Sequence, residues 1–300
     1  LAEARRQAPR SVAALPARHR SVRQQLVVGY LSPDLGRHPV GYFLLPVLEN
    51  HDPHRVRAIC YSTRRAHDGL THRLRSAASL WIEAAELDDS ALAKRIELDG
   101  VDILIDLAGH TAGARLGVFA RRAAPVQATW AGFPGPSGVA AMDYVIADAV
   151  EIPPGAEAGY GEHVMRLPGS YVCFAPVGYA PDPGELPALS RGAVTFGCFN
   201  NVAKFNDTVF RTWARILAAT PGSRLLLRWS SLLDAEVASE IGMRLVACGI
   251  MPGLVDISGC RDHAELLTAY RNVDIALDPF PYTGGLTTLE ALWMGVPVVT

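Results

Sequence analysis

The sequence predicts an α/β protein built from two successive domains, each a mostly parallel sheet covered by helices. Three observations carry that reading. Short β-branched runs alternate with helical periodicity along nearly the whole chain, which is the pattern of βαβ units. One Pro-rich stretch, residues 174–192, with Pro176, Pro181, Pro183 and Pro187, interrupts the alternation as a linker would. Finally, 300 residues that are 49% hydrophobic supply two cores of ordinary size more readily than one.

Taken in order, residues 1–24 carry arginines at 5, 6, 10, 18, 20 and 23 against one acid, Glu3, and begin without Met. They read as a connector from a missing upstream region. The first domain is set at 25–184. It opens with strands at 24–32 and 56–62. A helix at 88–100 follows, with Leu92, Ile96 and Leu98 approximating its apolar face. Asp88, Asp89 and Ser90 are its N-cap candidates and Gly100 its stop. Strands at 101–109, 126–132 and 142–148 complete the domain before the chain loosens into Pro and Gly.

The second domain is set at 185–300. Strands are expected at 193–199, 223–229, 254–259 and 274–280, and helical segments at 207–220, 234–249, 263–273 and 289–295. The final GVPVVT stops inside a strand-like apolar run, which reads as truncation of this domain. No repeat with a period of 20–50 residues is present.

A formal net charge of -2 and a pI near 6.5 give no global electrostatic reason to bind nucleic acid or an anionic membrane, so any anion site must be local. Cys60, Cys173, Cys198, Cys248 and Cys260 are odd in number and scattered, with no CxxC pair. They read as reduced thiols of a cytoplasmic protein, with no metal centre. There is no HExxH, GxxxxGK[ST], GxSxG or GxGxxG motif, so metalloprotease, P-loop and serine-hydrolase chemistry lack their signatures.

Polar residues cluster where strands end. FGCFNNVAKFND (196–207) places Asn200, Asn201 and Lys204 between a buried strand and a helix starting at Asp207 or Thr208. A lysine beside free helix N–H groups suits a diphosphate, although two asparagines capping a turn beside a solvated lysine would give the same letters. DPFPYTGGLTTLE (278–290) ends another strand. Gly284 and Gly285 allow close approach of a ligand, Thr287 and Thr288 open a helix, and Glu290 in its first turn could accept hydrogen bonds from ribose hydroxyls or simply offset the helix dipole. In the first domain Asp34 and His38 follow one strand, and Asp106, His110 and Thr111 follow another. Each imidazole is either structural or a general base or hydroxyl-orienting group.

Four segments together resemble the catalytic region of glycosyltransferase family 41, the protein O-GlcNAc transferases and their SPINDLY-type relatives. They are VGYLSPDLGRHPVGYF, ILIDLAGHTAGARLGVFARRAAPVQATWAGFPGPSG, VTFGCFNNVAKFND with WARILAATPGSRLLL, and DIALDPFPYTGGLTTLEALWMGVPVVT. The resemblance implies a GT-B fold with two Rossmann-like domains facing across a cleft, and tetratricopeptide repeats upstream. It implies an inverting, metal-independent transfer of GlcNAc from UDP-GlcNAc to Ser or Thr hydroxyls of acceptor proteins, with no cofactor.

By the same resemblance Lys204 matches the lysine on the donor diphosphate, Asn201 a nucleotide-contacting amide, Thr287 a diphosphate-binding threonine and Glu290 the ribose acid. His38 matches the histidine taken as base or acceptor-site orienter, and Asp106 and His110 match a second cleft pair. The sequence departs from the family pattern at Leu266, where many members have a histidine, at Gly285–Leu286 and at Pro136. The last two lean toward the SPINDLY branch, whose donor is GDP-fucose. Protein O-fucosylation is therefore the near alternative, and a non-catalytic scaffold fragment the more distant one.

Overall fold

A computed structural model describes residues 25–300; the connector expected at 1–24 lies outside the described residues. The chain divides into two compact units between Ala175 and Pro176, inside the Pro-rich stretch and ahead of the 184/185 boundary read from it. The prolines beyond the division do not form a free linker. Val177 and Ala180 pack on a hydrophobic cluster of the second unit that includes Phe199 and Tyr270, and the Arg271 guanidinium donates to the Asp182 carbonyl at 3.0 and 2.7 Å. Proline bars a segment from helix and central strand, but it does not prevent an ordered strap.

The first unit is a seven-stranded parallel sheet of β1 (Leu26–Ser32), β2 (Val56–Ser62), β3 (Leu80–Glu83), β4 (Ile103–Asp106), β5 (Val126–Trp130), β6 (Tyr144–Ala147) and β7 (His163–Arg166), in the order β3-β2-β1-β4-β5-β6-β7. Helices α1 (Pro39–Asn50), α2 (Gly69–Ala77), α3 (Asp89–Leu98) and α4 (Leu116–Ala120) connect the strands. Ile59, Leu92, Ile96, Leu104 and Phe119 lie at the centre of a fully buried cluster. In α3 the buried face is Leu92, Ala93 and Ile96, whereas Leu98 is 73% exposed. Two positions on from Ile96, Leu98 projects from the far side of the helix, so it cannot share that face.

The second unit is a five-stranded parallel sheet of β8 (Thr195–Cys198), β9 (Arg224–Arg228), β10 (Val255–Ser258), β11 (Ile275–Leu277) and β12 (Val298–Val299), in the order β10-β9-β8-β11-β12. Helices α5 (Pro187–Arg191), α6 (Asp207–Ala219), α7 (Ala235–Ala247), α8 (His263–Ala269) and α9 (Leu286–Trp293) accompany it. Phe210, Trp213, Leu225 and Leu227 anchor its core.

One device recurs at the amino edges of both sheets. An aspartate stands immediately before β4, β6 and β11, and each bonds reciprocally to a residue at the start of the neighbouring strand. Asp102 donates its N–H to the Val27 carbonyl and accepts the Val27 N–H on its carboxylate at 2.8 Å. Asp143 does the same with Gln127 at 2.8 Å, and Asp274 with Thr195 at 2.7 Å. Each carboxylate supplies the acceptor that a parallel ladder lacks at its first rung.

Strand order reverses between β1 and β4 in the first sheet and between β8 and β11 in the second. Loops leaving these neighbours diverge, and the crevice at their carboxyl ends is where open α/β sheets bind ligands. Among the described residues no helix is long and apolar enough to cross a membrane.

Candidate active site

In the second unit, polar groups converge where β8 and β11 end. Asn200 is 6% exposed. Its amide donates to Asp278 Oδ1 at 3.1 Å, and its carbonyl oxygen accepts from Lys204 Nζ at 3.1 Å and from Thr287 Oγ1 at 3.1 Å. Lys204 Nζ also donates to the Thr283 carbonyl at 2.8 Å and lies 4.6 Å from the centre of the Tyr282 ring. Asp278 accepts the Gly284 N–H on both oxygens, at 2.8 and 2.9 Å. Two loops and the first turn of α9 are thereby tied around one ammonium group.

Desolvation dominates the electrostatics of this cluster. Burial lowers the Lys204 pKa from the ordinary lysine value, against the opposing pull of Asp278. Burial likewise raises the Asp278 carboxyl, against the Gly284 N–H, Lys204 and Asn200. A bound diphosphate would return to the ammonium the counter-charge and hydrogen bonds that desolvation removed.

Of the two helix starts that the sequence offers to an anion, the first turn of α6 is capped by a side chain and that of α9 is not. At α6 the Asn206 side chain already accepts the N–H groups of Thr208 and Val209, at 3.0 Å each. At α9 the N-cap is Gly285, which gives no side-chain bond to the first turn, and the buried Thr288 hydroxyl has no protein partner. Glycine is required at 284, because a Cβ there would sit 2.7 to 2.9 Å from Thr288 Oγ1, Thr287 Oγ1 and Asp278 Oδ1.

Glu290 is the fifth residue of α9 and not in its first turn as the sequence suggested; 3% exposed, it faces His263, with Oε1 2.6 Å from Nε2. Asn201 has a different role from its neighbour. It is exposed, and its oxygen accepts the Ala203 N–H at 3.0 Å, capping the single turn that carries Lys204. The amide inside the network is Asn200, and the sequence signal for it was its place directly after the buried β8 run. Asp278, Tyr282 and Thr283 were also missed as parts of the site. Leu266 packs in the core beside Leu267 and Tyr270.

In the first unit, Leu31 pairs with Asp106 in the β1–β4 ladder, so the loops bearing His38 and His110 leave adjacent strand ends. His38 caps α1 by accepting the Val40 N–H on Nδ1 at 3.3 Å, and stands 3.8 Å from Asp34. Burial lowers its pKa, against the pull of Asp34. With Nδ1 accepting, the neutral ring carries its proton on Nε2, a donor for a hydroxyl oxygen. Asp106 is wholly buried, and it accepts the Ala108 N–H at 3.1 Å, the Gly109 N–H at 2.9 Å and the Thr129 hydroxyl at 3.1 Å. It shapes the turn that presents His110, whose exposed ring meets Phe133 edge-on at 5.2 Å. No hydrogen bond joins Asp106 to the His110 ring. Among the described residues no group of three or more His, Cys, Asp or Glu side chains is placed to hold a metal ion.

The profile of the family described as glycosyl transferase family 41 matches residues 10–175. The chain belongs to that family. Among curated family 41 relatives, it is 41% identical over 286 residues to the probable UDP-N-acetylglucosamine–peptide N-acetylglucosaminyltransferase SPINDLY of Solanum lycopersicum, covering 92% of this chain and 30% of that protein. Against the probable enzyme of the same description called SEC, from Arabidopsis thaliana, identity is 30% over 303 residues, covering 96% of this chain and 30% of the relative. The chain thus spans under a third of the length of the curated relatives it matches. Among solved structures, a mutant O-GlcNAc transferase of Thermobaculum terrenum superposes with a TM-score of 0.86 at 40% identity, over 93% of this chain and 53% of that one. The Anabaena HepE protein in complex with UDP and glucose shares the fold alone, with a TM-score of 0.57 at 14% identity over 92% of this chain and 80% of that one.

Proposed function

We propose that this family 41 chain is the catalytic region of a protein glycosyltransferase that moves GlcNAc from UDP-GlcNAc to Ser or Thr hydroxyls with inversion and without a metal. The observation that carries the proposal is Lys204, an ammonium held by Asn200 and Thr283 beside Gly284 and the uncapped first turn of α9. In the transfer the hydroxyl oxygen forms its bond to the anomeric carbon while the bond from that carbon to the diphosphate breaks, the electron pair leaves with the diphosphate, and the hydroxyl proton is released to water. Negative charge therefore grows where Lys204 and the α9 N–H groups stand, so their stabilisation is larger in the transition state than in the ground state. His38, with Nε2 as donor, is assigned to orienting the acceptor hydroxyl. Glu290 is assigned to the donor ribose, Thr287 and Thr288 to the diphosphate.

Lys204→Ala in the full-length protein should lower kcat by about a hundredfold or more, the scale of one lost charge-stabilising donor, with the fold intact by circular dichroism. Turnover within threefold of wild type would remove the proposal's central residue. Activity should persist in EDTA if no metal takes part. GDP-fucose is the second reading, favoured by the departures from the family pattern at Gly285–Leu286 and Pro136. Titration of UDP against GDP separates the two, and binding of neither would leave the scaffold reading.

A further inference from the structure

The buried Glu290 carboxylate is reached by His263 Nε2 at 2.6 Å. On the other side of that ring, His263 Nδ1 lies 2.7 Å from the Tyr179 hydroxyl, and the two rings meet edge to face at 5.7 Å. A hydroxyl that donates to Nδ1 leaves the imidazole proton on Nε2, which then donates to the carboxylate. One chain of two hydrogen bonds fixes the tautomer and the orientation of all three groups. Tyr179 sits on the strap that Val177, Ala180 and the Asp182 carbonyl fasten to the second unit, yet the residue is 48% exposed. An aromatic ring with its hydroxyl pinned and much of its surface open is a pre-organised stacking platform.

We propose that Tyr179 and His263 build the nucleoside end of the donor site, with His263 a positioning residue for Glu290 and Tyr179 the surface on which the nucleobase stacks. The inference rests on the reading of Glu290 as the ribose acid. Hydrogen bonds and the α9 helix connect Lys204 and Gly284 to Glu290 and then, through His263, to Tyr179, the succession of phosphate, ribose and base in a nucleoside diphosphate. Base stacking on an aromatic side chain is worth enough to change affinity about tenfold.

The test uses the full-length protein and compares UDP, GDP and inorganic diphosphate by titration and competition on wild type, Y179A, Y179F and H263A. If wild type binds neither nucleotide, the underlying nucleotide reading falls. If it binds one, that nucleotide should bind about tenfold more weakly to Y179A and H263A and only a few-fold more weakly to Y179F, which keeps the ring. Inorganic diphosphate should compete equally for all four proteins. Wild-type nucleotide affinity in Y179A would overturn the proposal, and so would a parallel loss of diphosphate binding, because the effect would then not be confined to the nucleoside.

Discussion

Asn200→Ala tests the network around Lys204 most directly. Besides a long contact from the amide to Cys198 Sγ at 4.0 Å, the substitution removes three hydrogen bonds, two of them to charged partners: Asp278 at 3.1 Å, Lys204 at 3.1 Å and the Thr287 hydroxyl at 3.1 Å. A bond to a charged group contributes about 1.5 to 3 kcal/mol and a neutral one about 1. Water can reach Lys204 and Thr287 once the amide is gone, whereas the buried Asp278 keeps only the Gly284 N–H as a hydrogen-bond donor. The net cost is therefore set at about 3 kcal/mol, below the simple sum. For a unit of this size that is a fall of about 12 °C in the transition of the second unit, read by calorimetry, with nucleotide affinity weakened at least about tenfold because Lys204 is no longer held. Asn200→Asp supplies a control of opposite character. It keeps an acceptor for Lys204 and Thr287 but sets a second carboxylate against Asp278, so it should be most damaging at neutral pH and recover on acidification as the pair takes up a proton. An Asn200→Ala protein that melts within about 2 °C of wild type and binds nucleotide equally well would refute the reasoning.

Gly284→Ala forces a methyl group against Thr287, Thr288 and Asp278; a loss of about 1 to 3 kcal/mol is expected in urea unfolding, together with loss of nucleotide binding by titration. His38 has a folded pKa below its ordinary 6.5, so the unfolded chain takes up this proton first and stability falls as pH drops from 6.5 through the lowered folded value, with no contribution above 6.5. His38→Asn can still cap α1 and should flatten that acid-side slope in melts from pH 7 to 5; an unchanged slope would show that another group sets it. Asp274→Ala strips an acceptor from the buried Thr195 N–H at 2.7 Å and from the Ala188 N–H at 2.8 Å. It should cost about 2 to 4 kcal/mol and speed hydrogen exchange at Thr195.

Most strands were legible because parallel strands buried on both faces are continuous apolar runs, as in VDILID and VTFGCF. The α1 helix was not, because Pro46 lies inside it and almost every residue from Val40 to Leu48 is buried. It has no polar face to set a period and carries a residue that argues against helix. β7 went unread for the opposite reason: its residues alternate between exposed and half-buried and look like loop. The site was legible as two segments, 196–207 and 278–290, but not residue by residue. Asn200 and Asn201 are adjacent and identical, and only the exit angle of β8 sends one inward to Asp278 and the other outward to Ala203. The Tyr179–His263–Glu290 chain joins positions 84 and 27 residues apart, a pairing that no local pattern records.

The aspartates ahead of β4, β6 and β11 make the two ends of each sheet unequal. A strand that could slide against its neighbour would have to break a two-way clasp at its origin, so position along the ladder is counted from that end. The opposite end is left without such bookkeeping, and the segments emerging there can lengthen, shorten or exchange residues without the error travelling back into the strands. A scaffold indexed at one margin and permissive at the other can change what it binds while keeping how it folds.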